Sequence, residues 1–153
     1  MDKRKRKKIV VITACIVVLL GVFLGVEYNK YREKPLLQVI PISQDEIADI
    51  RLSYNHGGDF KLDAQQIAEL WDILADCRVK FWSADRIFPN FYARAFLSGD
   101  YLSSVMRDVD LSFSSDGRIR VQALRNGGRA TSYKFIEGEE AVYQFLDKMQ
   151  WQE

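Results

Sequence analysis

A long apolar run near the N-terminus constrains this chain more than any other feature. Residues 9–26 are eighteen consecutive residues without a charge, and six of the eight residues before them are basic. At about 1.5 Å of rise per residue, a helix over 9–26 is about 27 Å long, close to the roughly 30 Å hydrocarbon core of a bilayer. Tyr28 and Tyr31 follow at positions typical of an interfacial aromatic belt. The sequence therefore predicts a basic tail over 1–8 and a transmembrane helix over 9–26.

The charges on the two sides of this run predict its orientation. Six cations precede the run, whereas Lys30, Arg32 and Lys34 follow it among the carboxylates of Glu27 and Glu33. The side with the excess of Lys and Arg usually stays in the cytoplasm. We therefore expect a single-pass protein of the cell membrane, with its N-terminus in the cytoplasm and the chain after about residue 27 outside.

Two other interpretations of the run stay open. A cleaved secretory signal needs small residues in an A-x-A-like pattern after the apolar run, and the end of this run offers none. The segment Ile12-Thr13-Ala14-Cys15 resembles a bacterial lipobox in which Cys15 is acylated, although the apolar stretch before it is short and eleven more apolar residues follow. The uncleaved anchor is the interpretation we favour.

Charge and cysteine content limit what the rest of the chain can be. Residues 1–35 carry nine basic and three acidic residues, a balance of +6, whereas residues 36–153 carry 13 basic and 18 acidic residues, a balance of −5. A mildly acidic region argues against nucleic acid as a partner, because phosphate binding needs a cationic face. Cys77 is the one cysteine after residue 36, so it cannot form an internal disulfide there, and we expect a small buried side chain.

The segment after the anchor divides into a predicted linker and one predicted domain. Mixed charges and two prolines over 27–42 indicate a stalk, and residues 43–153 have the length of a single domain. Alternating apolar residues predict a strand over 50–54, a turn, and a returning strand from residue 60. Asp63 and Gln66 form a capping-box pattern ahead of an amphipathic helix over 64–76. Short strands are expected over 79–82 and 91–97.

The C-terminal third predicts a three-stranded meander and a closing helix. Opposed residues share a face of the sheet, so a three-residue loop at 115–117 pairs Phe113 with Ile119. The same argument at 126–128 pairs Ile119 with Phe135 and gives strands over 105–114, 118–125 and 129–136. A helix with an apolar stripe opens at 138–140. The order β-β-α-β-β-β-β-β-α indicates an α+β fold, with an antiparallel sheet and both helices on one face.

No pattern in the sequence predicts catalysis, a cofactor or a metal ion. His56 is the one histidine and lies in a Gly-rich turn, where an imidazole is usually solvated. A zinc site needs three or four ligands at workable spacing, and a Ser-His-Asp arrangement would have to use His56. The glycine pairs match neither of the phosphate-binding loop motifs. We therefore expect a protein that is not an enzyme.

Two groups of side chains are candidate binding surfaces. The predicted register places Arg118, Arg120 and Lys134 on the sheet face away from the core, with Arg120 opposite Lys134. Like charges directly opposed are unfavourable, so these side chains form a candidate anion-binding face. An ordinary solvated sheet face is the alternative.

The second candidate is the segment 81–92, which is rich in large side chains and includes the loop between the strands predicted over 79–82 and 91–97. Its candidate interaction residues are Trp82, Phe88, Phe91 and Tyr92. Exposed together, such side chains mark an interaction site; the alternative is that they cover one end of the core.

The layout of the whole chain resembles that of a known group of proteins, and several segments contribute to the resemblance. These are the basic start and anchor, the strand DIRLSY (49–54), the helix DAQQIAELWDIL (63–74), the hairpin DLSFSSDGRIRV (110–121) and the closing helix. The chain resembles small, uncharacterised membrane-anchored or lipoprotein-like extracytoplasmic proteins of Gram-positive bacteria. The resemblance implies location and architecture, and no functional residues.

Three functions follow as hypotheses. The first is a non-catalytic extracytoplasmic interaction domain, accessory to an envelope or membrane system and with a protein partner there. The second is a binding module for anionic cell-wall or lipid groups. The third, an enzyme of unrecognised type, requires a pocket that gathers polar residues from distant segments.

Overall fold

The computed structural model describes residues 3–83, 91–99, 108–124 and 128–151, with the backbone alone for residues 3–7. The chain divides into two compact units, residues 1–32 and residues 33–153. The first unit contains helix α1, Lys3–Tyr31. Within Lys8–Tyr31 of α1, an eighteen-residue stretch has a mean hydropathy of 3.1, and among the described residues this is the one helix that is long and apolar enough to cross a membrane. An N-terminal signal sequence meets the same criterion of length and composition.

The second unit begins earlier in the chain than predicted. Strand β1, Lys34–Pro35, pairs with a later strand through Val79, and the Leu36 amide donates to the Cys77 carbonyl over 2.9 Å. Leu36 is completely buried. The structure does not show a linker over 27–42, since α1 extends to Tyr31 and Leu36, Ile40 and Ile42 belong to the core. Pro35 does not prevent this, because β1 is an edge strand and needs no donor on its outer side.

The first hairpin and helix of the unit follow the predicted pattern. Strand β2, Ile47–Tyr54, pairs with β3, Asp59–Lys61. Helix α2, Ala64–Ala75, starts at a complete capping box: the Gln66 amide donates to the Asp63 carboxylate and the Asp63 amide to the Gln66 side chain, both over 2.8 Å. Reciprocal bonds of this kind satisfy amides that have no partner within the helix.

The described strands form one eight-stranded antiparallel sheet in the order β1-β4-β8-β7-β6-β5-β2-β3. The remaining strands are β4, Arg78–Ser83; β5, Phe91–Gly99; β6, Val109–Ser114; β7, Arg118–Ala123; and β8, Thr131–Glu137. Among the described strands, four of the seven consecutive pairs are neighbours, and the three that are not involve β1 or β4. β4 lies between β1 and β8, so three strands separate it from β5, which follows it in the chain.

The predicted register of the meander is confirmed in one hairpin and wrong in the other. Phe113 pairs with Ile119 across a three-residue loop, and Gly117 has the left-handed φ of 76° that such a loop needs. In the second hairpin Ile119 pairs with Tyr133 and not with Phe135. Seven residues connect β7 to β8 instead of three. A shift by two residues keeps every side chain on its face, so the apolar pattern alone cannot detect it.

Both helices of the unit pack on one face of the sheet, and the α+β prediction is confirmed. Helix α3, Glu139–Gln150, buries the predicted stripe of Val142, Phe145, Leu146 and Met149. This stripe and the buried face of α2 join the inward side chains of the strands in one core. The Lys148 ammonium lies 2.9 Å from the Glu69 carboxylate and links α3 to α2. The opposite side of the sheet carries mainly polar and charged side chains and is called the polar face below.

Candidate functional site

Three cations lie side by side on the polar face. Lys80 of β4 is the register partner of Lys134 of β8, and Lys134 is the register partner of Arg118 of β7. Neighbouring strands are about 4.8 Å apart, so the three positions span about 10 Å at right angles to the strands. We call Lys80, Lys134 and Arg118 the cationic row.

The strand pairing within the anion-binding face therefore differs from the prediction. Arg118, and not Arg120, is opposite Lys134, because the register differs by two residues from the prediction. Arg120 pairs instead with Ser132 and Ser112, two residues further along the strands. All three predicted residues occupy the polar face. Lys80 was not among them, because its place depends on the pairing of β4 with β8, for which the sequence has no local signal.

The two lysines of the row are the cations most open to a partner. Both side chains are exposed, and neither lies within 4 Å of a carboxylate in the part of the chain that the structure describes. Arg118 is held differently. Its Nε donates to Asp116 Oδ1 over 2.9 Å and its terminal nitrogen contacts the other carboxylate oxygen. These bonds lower the pKa of Asp116, so at neutral pH the pair is ionised and Arg118 is partly neutralised.

Trp82 joins this row as its aromatic neighbour. The pairing of β4 with β8 is irregular between Phe81 and Ser83, and Trp82 lies between these two residues. Its indole ring centre lies 5.9 Å from both Lys134 Nζ and Arg118 Cζ, within the range of cation–π contacts. Trp82 is 53% exposed. The site thus combines exposed ammonium groups with an accessible aromatic surface.

Two further charged residues, Arg120 and Asp110, lie on the polar face near the row. The Arg120 Nε atom is buried and has no hydrogen-bond partner among the described residues, and its terminal nitrogen is 3.4 Å from the Gln122 side-chain oxygen. Asp110, 8% exposed, pairs with Arg94 over 3.2 Å. Burial raises the pKa of Asp110, and the charges of Arg94 and Arg120 oppose that rise. Asp110 therefore pairs with Arg94, and its carboxylate does not neutralise Lys80 or Lys134.

The predicted aromatic loop does not form one patch in the described residues. Phe91 is half-buried, with the Arg94 guanidinium carbon 5.2 Å from its ring centre. Tyr92 packs against the core, where its hydroxyl contacts Asp147 of α3 and its ring lies 5.6 Å from the Tyr143 ring. Phe88 lies outside the described residues. Trp82 alone of the described aromatic candidates adjoins the cationic row.

A depression beside α3 is lined in part by acidic side chains. Its volume is about 370 Å³, and its walls include Tyr92, Tyr143, Glu139 and Asp147. Tyr92 and Tyr143 direct their hydroxyls to Asp147 and to the Ser114 carbonyl. Burial raises the pKa of Tyr92 to about 12 and that of Tyr143 even further, so both phenols stay protonated at neutral pH.

Metal binding has no support in the described residues, where no three His, Cys, Asp or Glu side chains are grouped to hold an ion. His56 lies exposed in the β2–β3 turn. Cys77 is completely buried, as expected, and burial raises the pKa of its thiol to about 11. A buried thiol with a raised pKa is inert in comparison with a catalytic cysteine.

The comparisons with known proteins leave the site to be interpreted from its own chemistry. No family model matches the chain, and neither a curated protein nor a solved structure matches it.

Proposed function

We propose that this chain is a membrane-anchored extracytoplasmic binding domain that does not catalyse a reaction and that binds anionic groups through the cationic row. One observation carries the proposal. Lys80, Lys134 and Arg118 occupy adjacent register positions, and the two lysines are exposed with no carboxylate close to them among the described residues. This concentration of positive charge lies on a region whose overall balance, over residues 36–153, is −5.

The energetics favour an anionic partner at this place. Like charges directly opposed across two strands cost roughly 0.2–1 kcal/mol per pair, and the row contains two such pairs. A bound anion converts this repulsion into attraction. The partner gains most from Lys80 and Lys134, because Arg118 already shares its charge with Asp116.

Anchoring and orientation rest on α1 and on the distribution of charge along it. The helix from Lys8 to Tyr31 has the length and hydropathy of a membrane span. The basic tail supports a cytoplasmic N-terminus and an external domain. Carbonate extraction of cell membranes tests anchoring: the protein should stay in the membrane fraction. The intact mass tests the lipobox alternative, because loss of residues 1–14 with acyl chains on Cys15 would contradict a transmembrane helix.

Anion binding is tested by removing the charge of the two open lysines. We expect the double variant Lys80→Gln/Lys134→Gln, in neutral detergent, to elute from immobilised inorganic polyphosphate at lower salt than the native protein, while the basic tail contributes equally to both. The matched control Arg51→Gln/Lys61→Gln removes two cations from the other edge of the same sheet, where both lie near Asp49. The control should be retained like the native protein. Equal retention of both double variants would refute the proposal.

A further inference from the structure

We propose that the anionic partner of the cationic row is the headgroup layer of the very membrane that holds α1, so that the domain docks on its own membrane. The inference rests on the proposed function, because it names the anion that the row binds. In this arrangement the row positions the domain. It determines which face of the domain is turned toward the bilayer and which faces stay available to other molecules.

The length of the connection supports this partner. Only Arg32 and Glu33 separate the end of α1 from β1. Three residues of extended chain reach about 10 Å. Lys34 of β1 pairs with Val79, and Lys80 is the next residue of β4. Since paired strands are about 4.8 Å apart, covalent connectivity keeps Lys80 within roughly 20 Å of the last residue of α1. If α1 spans the membrane, as proposed above, this short connection keeps the headgroup layer within reach of the row.

The side-chain types in the row also fit a lipid surface. Tryptophan is enriched at membrane interfaces, where its ring lies at the level of the headgroups. Lysine and arginine close to an anionic leaflet add an attraction that disappears within a Debye length. Trp82, which is 53% exposed, has its ring centre 5.9 Å from Lys134 Nζ. Aromatic and cationic side chains therefore approach the interface together.

The remaining charge of the domain makes docking selective. The balance of −5 over residues 36–153 repels an anionic surface, so adhesion by most other orientations is unfavourable. A short tether raises the local concentration of headgroups, so a few weak contacts suffice to hold the domain down.

The test uses the full chain in nanodiscs that contain lipids with brominated acyl chains, which quench tryptophan near the bilayer. All variants carry Trp151→Phe, because Trp151 is 82% exposed and would add its own signal, whereas Trp71 is buried. In this background we expect strong quenching with phosphatidylglycerol present, weak quenching with phosphatidylcholine alone, and loss of most of the quenching in Trp82→Phe. Each lysine should change the docked-to-free ratio about fivefold, so Lys80→Gln/Lys134→Gln should lower it about 25-fold. Arg51→Gln/Lys61→Gln is the control and should dock normally.

The outcomes separate this inference from the proposed function. Quenching that is the same in both lipids, or that survives loss of the two lysines, overturns docking through the row. Absence of docking together with lysine-dependent binding of soluble polyphosphate overturns the inference and leaves the proposed function intact. Absence of both kinds of binding refutes the two together.

Discussion

Gly138, at the start of α3, should tolerate even one added methyl group poorly. Its φ of 83° is left-handed, which costs a residue with a side chain roughly 1–2 kcal/mol. A Cβ atom there would lie 2.6 Å from Cys77 Sγ and 3.0 Å from Cys77 Cα. Overpacking of a buried contact costs typically about 1–3 kcal/mol more. Gly138→Ala should therefore lower the free energy of unfolding by about 2–5 kcal/mol.

Gly58 provides a control that separates the two contributions. Its φ of 99° is also left-handed, but an added Cβ meets nothing within 4 Å. Gly58→Ala should therefore show only the backbone cost of roughly 1–2 kcal/mol. Cys77→Ala removes the nearest contacting atom, so the pair Gly138→Ala/Cys77→Ala should be less destabilised than the sum of the single variants.

The measurement is urea unfolding of the full chain in neutral detergent, followed by tryptophan fluorescence, because Trp71 is 8% exposed and reports on the core. Equal losses for Gly138→Ala and Gly58→Ala would show that the contact with Cys77 has no energetic effect. Additivity of the two single variants in the double variant would lead to the same conclusion.

Three further outcomes follow from the interior and from the β6–β7 turn. Tyr54→Phe should cost about 1 kcal/mol in urea unfolding, because the Tyr54 hydroxyl donates over 2.7 Å to the buried Leu146 carbonyl; an unchanged midpoint would contradict this. Cys77, with its pKa raised to about 11, should resist iodoacetamide at pH 8 until urea is added, as read by mass spectrometry, and equal labelling without urea would disprove its burial. Asp116 has a lowered pKa, so its pair with Arg118 stabilises the fold above about pH 4 and ceases to do so as the pH falls through that pKa. Asp116→Asn should therefore cost roughly 0.2–1 kcal/mol at pH 7 and nothing in strong acid; a loss that is the same at both pH values would contradict the ionic explanation.

Local signals in the sequence predict much of this fold. The capping box at Asp63, the alternation in β2 and the glycine at 117 each act over a few residues, so each is readable without knowledge of the rest of the chain. The order of helices and strands follows from such signals. The early start of the domain at Lys34 does not, because β1 has only two residues and its pairing partner lies more than forty residues away.

The cationic row could be predicted only in part for the same reason. Arg118 and Lys134 lie in neighbouring strands of a meander, and alternation places both on the polar face. Their direct opposition depends on a register that the loop length determines, and the loop is longer than its glycines suggest. Lys80 and Trp82 join them through the pairing of β4 with β8, which connects Val79 to Phe135. No short-range pattern encodes that contact.

The position of β4 between β1 and β8 also has a consequence for synthesis of the chain. β4 has one partner made before it, the two-residue β1, and one made about fifty residues later, β8. At about 5–20 residues per second, the ribosome adds those residues in roughly 3–10 seconds. During that interval one edge of β4 has no strand to pair with, and its exposed amides and carbonyls are open to wrong pairing. The sheet can therefore close around β4 only after β8 has been made, late in synthesis of the chain.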